Sequence, residues 1–127
     1  MVWDTRASTV GERVAWSLYV SGSNYISGGG NGARALYVRS GGVTVADLYA
    51  TPSASHVRCA AAWSANDFAV SINGAAALTD ASGALPVGSP TLHIGSRNGN
   101  DHLFGSLASL TYYPERLSNA ELEAMAS

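Results

Sequence analysis

Large apolar residues alternate with small or polar residues along much of the chain. From Arg13 to Val20, every second residue is apolar and bulky; these residues are Val14, Trp16, Leu18 and Val20. The residues between them, Ala15, Ser17 and Tyr19, point to the opposite side. Because side chains alternate across a strand, this pattern predicts a strand with one face in a core.

A second strand is predicted from Ala33 to Arg39, with Leu36 and Val38 inward and Tyr37 and Arg39 outward. Gly41-Gly42 follows, and two residues that tolerate positive φ suit a tight antiparallel hairpin. The next strand is therefore expected from Val43 to Tyr49.

The centre of the chain predicts a three-stranded meander. Two runs of alternating residues each present one apolar face, namely Val57, Cys59, Ala61 and Trp63, then Phe68, Val70 and Ile72. Ser64 to Asp67 turns the chain between them. Asn73-Gly74 is a strong hairpin signal and leads into a third strand from Ala75 to Leu78. We expect Trp16, Trp63 and Phe68 in the core; the pattern leaves Trp3 open between an edge strand and an exposed position.

Several segments between these strands read as loops. Tyr25-Ile26 is a candidate short strand, followed by a glycine-rich loop from Ser27 to Gly32. Asp80 to Pro90 is a second loop, since proline lacks the ladder donor. Leu92 and Ile94 are then expected to resume the core. A last long strand is predicted from Phe104 to Tyr113 and ended by Pro114.

One short helix is predicted at the end of the sequence. Ser118 lies three residues before Glu121, the spacing of a capping box. Leu122 and Met125 would lay this helix against the strands. Short antiparallel strands with one terminal helix predict an all-β fold, a two-sheet antiparallel sandwich of jelly-roll type, as a single domain over residues 1–127.

Composition narrows the function classes. The chain has 127 residues, of which 46% are hydrophobic and 13% charged, with a net charge of −2. No basic cluster is present, so a nucleic-acid partner is not expected. Cys59 stands alone, which excludes an internal disulfide and favours a small buried residue. The sequence shows neither a signal peptide nor a segment suited to membrane insertion.

The last third of the chain carries a family resemblance. Thr91-Leu-His-Ile-Gly-Ser96, a polar loop, Leu103-Phe-Gly and Tyr113-x-x-x-Leu-Ser-x-x-Glu-Leu122 form its main motif, with Val57 to Trp63 and Asn66-Asp-Phe68 upstream. Over about residues 33 to 125, the chain resembles the concanavalin A-like lectin/glucanase superfamily. It is most similar to laminin-G-like domains of bacteriophage tail-associated proteins. The resemblance implies a virion or extracellular location.

One part of the chain departs from this family. Laminin-G-like domains open with one or two strands that pair beside the last strand, whereas Met1 to Thr9 offers Val2-Trp3 alone as a candidate. The first family strand is therefore expected to be abbreviated or missing. A missing strand would leave an exposed edge, and such edges pair with other chains. Self-association as a homo-oligomer is the resulting hypothesis.

Catalytic patterns are absent from the sequence. The glucanase branch of the superfamily carries Glu-x-Asp-x-x-Glu on one strand, and this chain has no such triplet. His56, His93 and His102 lack partners at zinc spacing. Asn98, Asn100 and Asp101 could offer oxygen ligands to calcium, as at the rim of some laminin-G-like domains, but such loops are also ordinary turns. We expect turn chemistry, no cofactor and no enzymatic activity.

Two groups of residues are candidates for ligand binding. Sugars are commonly held by aromatic rings together with Asn, Asp or Arg side chains. The first group is the loop Arg97, Asn98, Asn100, Asp101 and His102. The second is the set of outward strand positions Tyr19, Tyr37, Arg39 and Arg58. Both groups have a plain alternative as rim or solvated residues.

The sequence thus predicts a non-catalytic, lectin-like adhesion module of a phage tail or virion protein, recognising a glycan or polysaccharide of the host surface. The alternative is a structural or oligomerisation module that binds other virion protein subunits. Glycan specificity depends on loop geometry, so the sequence alone does not identify the sugar.

Overall fold

The computed structural model describes residues 1–7, 14–29, 34–49, 56–103 and 105–127. These residues form ten strands and one helix: β1 (Val2–Ala7), β2 (Val14–Ser21), β3 (Asn24–Gly29), β4 (Arg34–Ser40), β5 (Val43–Tyr49), β6 (His56–Ser64), β7 (Asp67–Ile72), β8 (Leu78–Asp80), β9 (Thr91–Ile94), β10 (Gly105–Thr111) and α1 (Asn119–Ala126). The predicted strand starts at Arg13, Ala33 and Phe104 lie outside the described residues.

The strands form two antiparallel five-stranded sheets. The first sheet has the order β10-β1-β6-β7-β8, and the second has the order β5-β4-β3-β2-β9. Their facing surfaces enclose a common apolar core. The predicted fold class, an all-β sandwich with one short C-terminal helix, is confirmed. The meander β6-β7-β8 is confirmed as well, but the bounds predicted for its third strand are wrong. Strand β8 covers Leu78–Asp80 and not Ala75 to Leu78, so Asp80 belongs to the strand and not to the predicted loop.

Three tryptophans lie together in the core. Trp16 stacks on Trp63 with ring centroids 5.5 Å apart and meets Trp3 edge-on at 5.4 Å. Trp3 and Trp16 have no exposed surface, while Trp63 is half-buried. The Trp3 indole donates to the Gly29 carbonyl at 2.8 Å, which links the two sheets. The core assignments of Trp16 and Phe68 are confirmed, and Trp3 joins them.

The first strand is longer than the sequence suggested. The prediction that Met1 to Thr9 offers Val2-Trp3 alone is wrong, since β1 has six residues and pairs with both β10 and β6. The sequence pattern did not reveal the full strand because Asp4 and Arg6 at its outward positions are charged, and Thr5 between them is polar. Its inward position at Thr5 is buried although polar, with the hydroxyl 3.4 Å from the Val57 carbonyl.

Three residues of the predicted loop from Ser27 to Gly32 belong to a strand. Ser27, Gly28 and Gly29 are part of β3 and are buried, so this prediction is wrong for them; residues 30–32 lie outside the described residues. A Cβ at Gly28 would lie 2.2 Å from Nε1 of Trp16. Glycine inside a strand marks such a close approach, and here it leaves room for an indole ring.

Strand β9 lies at an edge with its apolar side chains exposed. Leu92 and Ile94 pair in register with Leu18 and Trp16 of β2. They are nevertheless 46% and 60% exposed, so the prediction that they resume the core is wrong. Alternation gives the side on which a residue lies, but it does not say whether the other sheet covers that residue.

The tight turns agree with the sequence. Gly41 and Gly42 have φ of +59° and +82° between β4 and β5, and Asn73 and Gly74 have +51° and +75° after β7. Two successive residues at positive φ are what the two-residue hairpin turn between Ser40 and Val43 needs. Asn73 and Gly74 form a tight turn closed by the bond from the Ala75 amide to the Ile72 carbonyl at 3.0 Å, but the connection to β8 continues to Ala77. The last strand, β10, ends at Thr111, three residues before Pro114.

Helix α1 packs on the outer surface of the first sheet. Ser118 and Glu121 form the predicted capping box, with the Glu121 amide 3.3 Å from the Ser118 hydroxyl. The helix lies over a patch of small and apolar residues, namely Val2, Ala60, Ala62 and Ala69. Leu122 is fully buried there. No helix within the described ranges is long and apolar enough to cross a bilayer.

Cys59 is a core residue. It is 1% exposed, and burial raises the pKa of its thiol to about 12. Because the thiolate is the reactive form, this side chain behaves as a small apolar residue.

Candidate functional site

Three tyrosines lie side by side on the outer face of the second sheet. Tyr19 on β2, Tyr25 on β3 and Tyr37 on β4 come from neighbouring strands, and we call them the tyrosine row. Tyr19 pairs in register with Tyr25 across the hairpin. Their alternation partners, such as Leu18, Ile26 and Val38, belong to the core. The row therefore faces away from the first sheet.

Tyr25 stacks on Tyr19 and lies against Tyr37 in a tilted arrangement. Centroids are 6.0 Å apart between Tyr19 and Tyr25 and 5.7 Å apart between Tyr25 and Tyr37, with interplanar angles of 23° and 34°. His93 meets Tyr19 edge-on at 5.9 Å, and the Arg34 guanidinium lies 4.7 Å from the Tyr37 centroid. The ring faces are thus directed at neighbouring side chains.

Arg97 brings a loop against the middle of the row. Its Nη1 donates to the Tyr25 hydroxyl at 2.6 Å, and its guanidinium carbon lies 5.0 Å from the Tyr25 ring centroid. Asp101 forms an ion pair with the same guanidinium. The loop itself is a tight turn, in which Arg97 and Asn100 exchange two backbone hydrogen bonds of 2.8 and 2.9 Å. Asn98 and Gly99 occupy its positive-φ positions.

Arg39 approaches the row from β4. Its Nη2 donates to the Gly42 carbonyl at 3.0 Å, and its Nε is enclosed without an acceptor. Among the described residues, the carboxylates that pair with arginines are Asp47, Asp67 and Asp101, and their partners are Arg34, Arg116 and Arg97. Arg39 therefore contributes a positive charge that no described carboxylate balances.

Tyr25 is enclosed by this arrangement. It is 3% exposed, and burial raises its pKa above the usual value for a tyrosine. The charge of Arg97 and hydrogen bonds from Arg97 and Arg39 oppose that rise. A neutral phenol surrounded by guanidinium donors keeps its own proton as a hydrogen-bond donor.

These residues border a small cleft of about 210 Å³. Its lining consists of Tyr19, Gly22, Tyr25, Arg39, Arg97 and Asn100. Pockets that enclose drug-sized ligands usually measure about 300–1,000 Å³. The cleft is thus suited to one ring or one end group, presented to hydroxyl, amide and guanidinium groups.

The structure brings together part of the residue set predicted from the sequence. Tyr19, Arg39, Arg97 and Asn100 line the cleft, and Tyr37 is the next member of the row. The remaining predicted residues do not line the cleft. Asp101 forms an ion pair with Arg97, and Asn98 and His102 are exposed. Arg58 lies on β6 of the other sheet. Whether the set binds a ligand stays a prediction.

Tyr25 is the central residue that the sequence reasoning missed as a site residue. The signal was present, because Gly22-Ser23 is a turn that places Tyr25 opposite Tyr19. A hairpin drawn across that turn would have put the two rings on the same face.

The loop residues considered for calcium serve as turn residues. Asn98 and Asp101 have φ of +48° and +53°, and Asp101 is engaged with Arg97. Asn and Asp tolerate this conformation better than most residues. The described residues contain no group of three His, Cys, Asp or Glu side chains placed to hold a metal ion. That the protein binds no cofactor and that this loop is a turn without calcium both stay predictions from the sequence.

Fold and site together define an antiparallel β-sandwich with a polar cleft on the outer face of one sheet. Comparisons with protein-family models, curated proteins and solved structures found no significant match. The resemblance to laminin-G-like domains therefore rests on the sequence motif of residues 33–125.

Proposed function

We propose that this domain is a non-catalytic carbohydrate-binding module. Following the sequence resemblance, we place it in a phage tail or related virion protein, where it attaches to a glycan of the host surface. The observation that carries the proposal is the cleft that Tyr19, Tyr25, Arg39, Arg97 and Asn100 line together. Few polar groups, held in fixed positions, are typical of sites that recognise small polar ligands.

The rigidity of the cleft supports a binding role. Two hydrogen bonds hold the turn of Gly41 and Gly42 against the neighbouring strands. The Gly42 amide donates to the carbonyl of Ser23 in the β2–β3 turn at 2.9 Å, and the Gly41 amide donates to Oδ1 of Asn24 at the start of β3 at 3.0 Å. The Gly95 amide donates to the Ala15 carbonyl at 2.7 Å, which ties the segment before Arg97 to β2. Groups that are already in place lose little entropy when a ligand binds.

The mode of sugar contact differs from the expected aromatic platform. Because the rings of the tyrosine row lie against one another, the row offers hydroxyl groups and ring edges at the cleft. Sugar hydroxyls would be bound mainly through hydrogen bonds from tyrosine, arginine and asparagine.

The cleft lining also supports binding without hydrolysis. Glycosidases place two carboxyl groups on either side of the scissile bond. The described lining residues are tyrosine, glycine, arginine and asparagine. The nearby carboxylates of Asp47 and Asp101 are paired with Arg34 and Arg97 and do not line the cleft.

Replacement of Asn100 tests this function. On a glycan array followed by calorimetric titration, we expect the protein to bind at least one host-type glycan. Asn100→Ala should then weaken binding about three- to tenfold, the value of one or two neutral hydrogen bonds. Circular dichroism should show an unchanged fold.

Asn98→Gly is the matched control. It removes an asparagine side chain from the same turn but outside the cleft, and glycine accepts the φ of +48° found there. Its affinity should equal that of the parent protein. Absence of binding to every glycan, or equal affinity of the Asn100→Ala protein, would contradict the proposal.

A second candidate function is a structural or oligomerisation module of a virion. The observation that favours it is the apolar edge at β9. Leu92 and Ile94 are 46% and 60% exposed there, and Val87 in the preceding loop is 73% exposed. Among the described strands, β9 pairs with β2 alone. An edge strand with exposed apolar residues is a template for pairing with another chain.

This candidate predicts self-association through β9. Sedimentation should show a concentration-dependent dimer, and Ile94→Lys should shift it to monomer, because a charge is costly to bury in an apolar interface. Val43→Lys is the control, since Val43 is 64% exposed on β5 at the opposite edge of the same sheet. A protein that is monomeric at all concentrations argues against this candidate.

A further inference from the structure

Arg39 is the charged group of the cleft that lacks a counter-charge. Of the charged side chains described on this face, Arg34 pairs with Asp47 and Arg97 pairs with Asp101, so their charges balance. Arg39 donates to the neutral carbonyl of Gly42 instead. A half-buried guanidinium without a carboxylate loses hydration that its hydrogen bonds to a neutral carbonyl and a neutral phenol replace only in part.

The guanidinium of Arg39 is held in position before any ligand arrives. The Gly42 carbonyl that accepts from Nη2 belongs to a turn fixed to Ser23 by a 2.9 Å backbone bond. Its Nε is enclosed, so the side chain is fixed along part of its length. With Nε enclosed, a carboxylate can approach the end of the guanidinium formed by Nη1 and Nη2, where a fork of two N–H groups can match its two oxygens.

The contacts of the tyrosine rings narrow the ligand class further. Neutral sugars usually gain part of their affinity by laying an apolar ring face on an aromatic ring. In the tyrosine row, the rings lie against one another, the His93 ring is perpendicular to Tyr19, and the Arg34 guanidinium lies over Tyr37. The group of the cleft that can bind a ligand most strongly is therefore the Arg39 guanidinium, which lies beside hydroxyl and amide groups.

We infer that the cleft recognises an acidic saccharide, with Arg39 binding the carboxylate of a uronic acid or similar sugar residue. Asn100, Arg97 and the Tyr19 hydroxyl would contact the hydroxyl groups of the same residue. The cleft volume of about 210 Å³ fits one such residue, at a chain end or in a side branch. This inference rests on the proposed carbohydrate-binding function and specifies its ligand.

The test compares one saccharide with and without its charge. Oligogalacturonate and the same oligosaccharide with its carboxyl groups reduced to hydroxymethyl groups are titrated into the protein by calorimetry. We expect the acidic form to bind about tenfold more tightly or better, the value of a charge-assisted hydrogen bond pair. This comparison uses the parent protein alone and does not depend on the folding of any variant.

Two variants then assign the preference to a residue. Arg39→Gln should remove the difference between the two saccharides, and Arg39→Lys should keep part of it, since the charge remains and the fork is lost. Arg58→Gln changes the net charge by the same amount on the other sheet, where Arg58 is exposed. It should leave the preference unchanged, which separates a local contact from the overall field.

The remaining outcomes overturn the inference in distinguishable ways. Equal binding of the acidic and reduced forms, or a preference that survives in Arg39→Gln, overturns acid recognition and leaves carbohydrate binding standing. Binding of neutral glycans from the array without any acidic saccharide does the same. If polyglutamate binds as tightly as oligogalacturonate, the site recognises anions and not saccharides. If no saccharide binds, acidic or neutral, the proposed function fails together with the inference.

Discussion

Gly28→Ala is expected to lower the free energy of unfolding by about 3 kcal/mol, the upper end of the usual cost of overpacking a core. The added Cβ would lie 2.2 Å from Nε1 and 2.4 Å from Cε2 of Trp16. Trp16 cannot move aside freely, because Trp3 and Trp63 contact its ring on two sides. Urea unfolding followed by far-UV circular dichroism measures the loss.

Gly22→Ala is the control for this prediction. Gly22 lies in the exposed β2–β3 turn, where the nearest atom to an added Cβ is the Tyr19 hydroxyl oxygen at 3.8 Å, an ordinary contact. Its stability should stay within about 0.5 kcal/mol of the parent protein, as for most surface substitutions. A Gly28→Ala protein as stable as Gly22→Ala would show that the indole does not lie over β3.

A double variant can also test whether the clash with Trp16 causes the loss of stability in Gly28→Ala. Trp16→Phe removes the indole atoms that the methyl group introduced by Gly28→Ala would meet. In the double variant, Gly28→Ala should therefore cost less than it does alone, giving a coupling energy of about 1–3 kcal/mol. Additive losses would place the cost of Gly28→Ala elsewhere in β3.

The strands with plain alternation could be predicted from the sequence because burial on one face imposes a period of two. In β6 and β7, the inward positions from Val57 to Ile72 carry the apolar residues, and the turns that follow these strands have clear turn signals. The full length of strand β3 was not predicted because its inward position at Gly28 carries no apolar side chain; the ring of Trp16 from the neighbouring strand β2 fills that space. A single strand read alone does not contain that information.

Strand β9 shows a second limit of pattern reading. Leu92 and Ile94 lie on the side of the sheet that carries Trp16 and Leu18, as alternation requires. Their exposure depends on how far the first sheet extends over this edge, which is a property of the packing between sheets. The sequence therefore predicts the side correctly and the burial wrongly.

The candidate site was partly visible in the sequence for a related reason. Tyr19, Tyr37 and Arg39 were placed outward one strand at a time, and Arg97 and Asn100 were found in their loop. Their meeting depends on strand order and register, which bring Tyr25 between Tyr19 and Tyr37. Arg58 has the same outward pattern but lies in the other sheet, so pattern alone could not separate it from Arg39.

Leu122→Ala is expected to lower the free energy of unfolding by about 3 kcal/mol, as for other fully buried leucines. Leu122 has no exposed surface and packs on the outer face of the first sheet, where most of the facing strand residues are alanines. Short alanine side chains let the helix lie close to the sheet, but they cannot extend to fill the space left by a removed isobutyl group. Urea unfolding measures this loss as well.

Ser118→Ala supplies the comparison within the same helix. It removes the capping hydroxyl that accepts from the Glu121 amide and should cost about 1 kcal/mol. Equal losses for the two variants would mean that α1 is stabilised by its own turns more than by docking. Since the tyrosine row lies on the outer face of the other sheet, Leu122→Ala should leave the affinity of the cleft unchanged wherever the protein is folded. A loss of ligand affinity in the folded Leu122→Ala protein would show that changes under the helix on the first sheet reach the outer face of the second sheet.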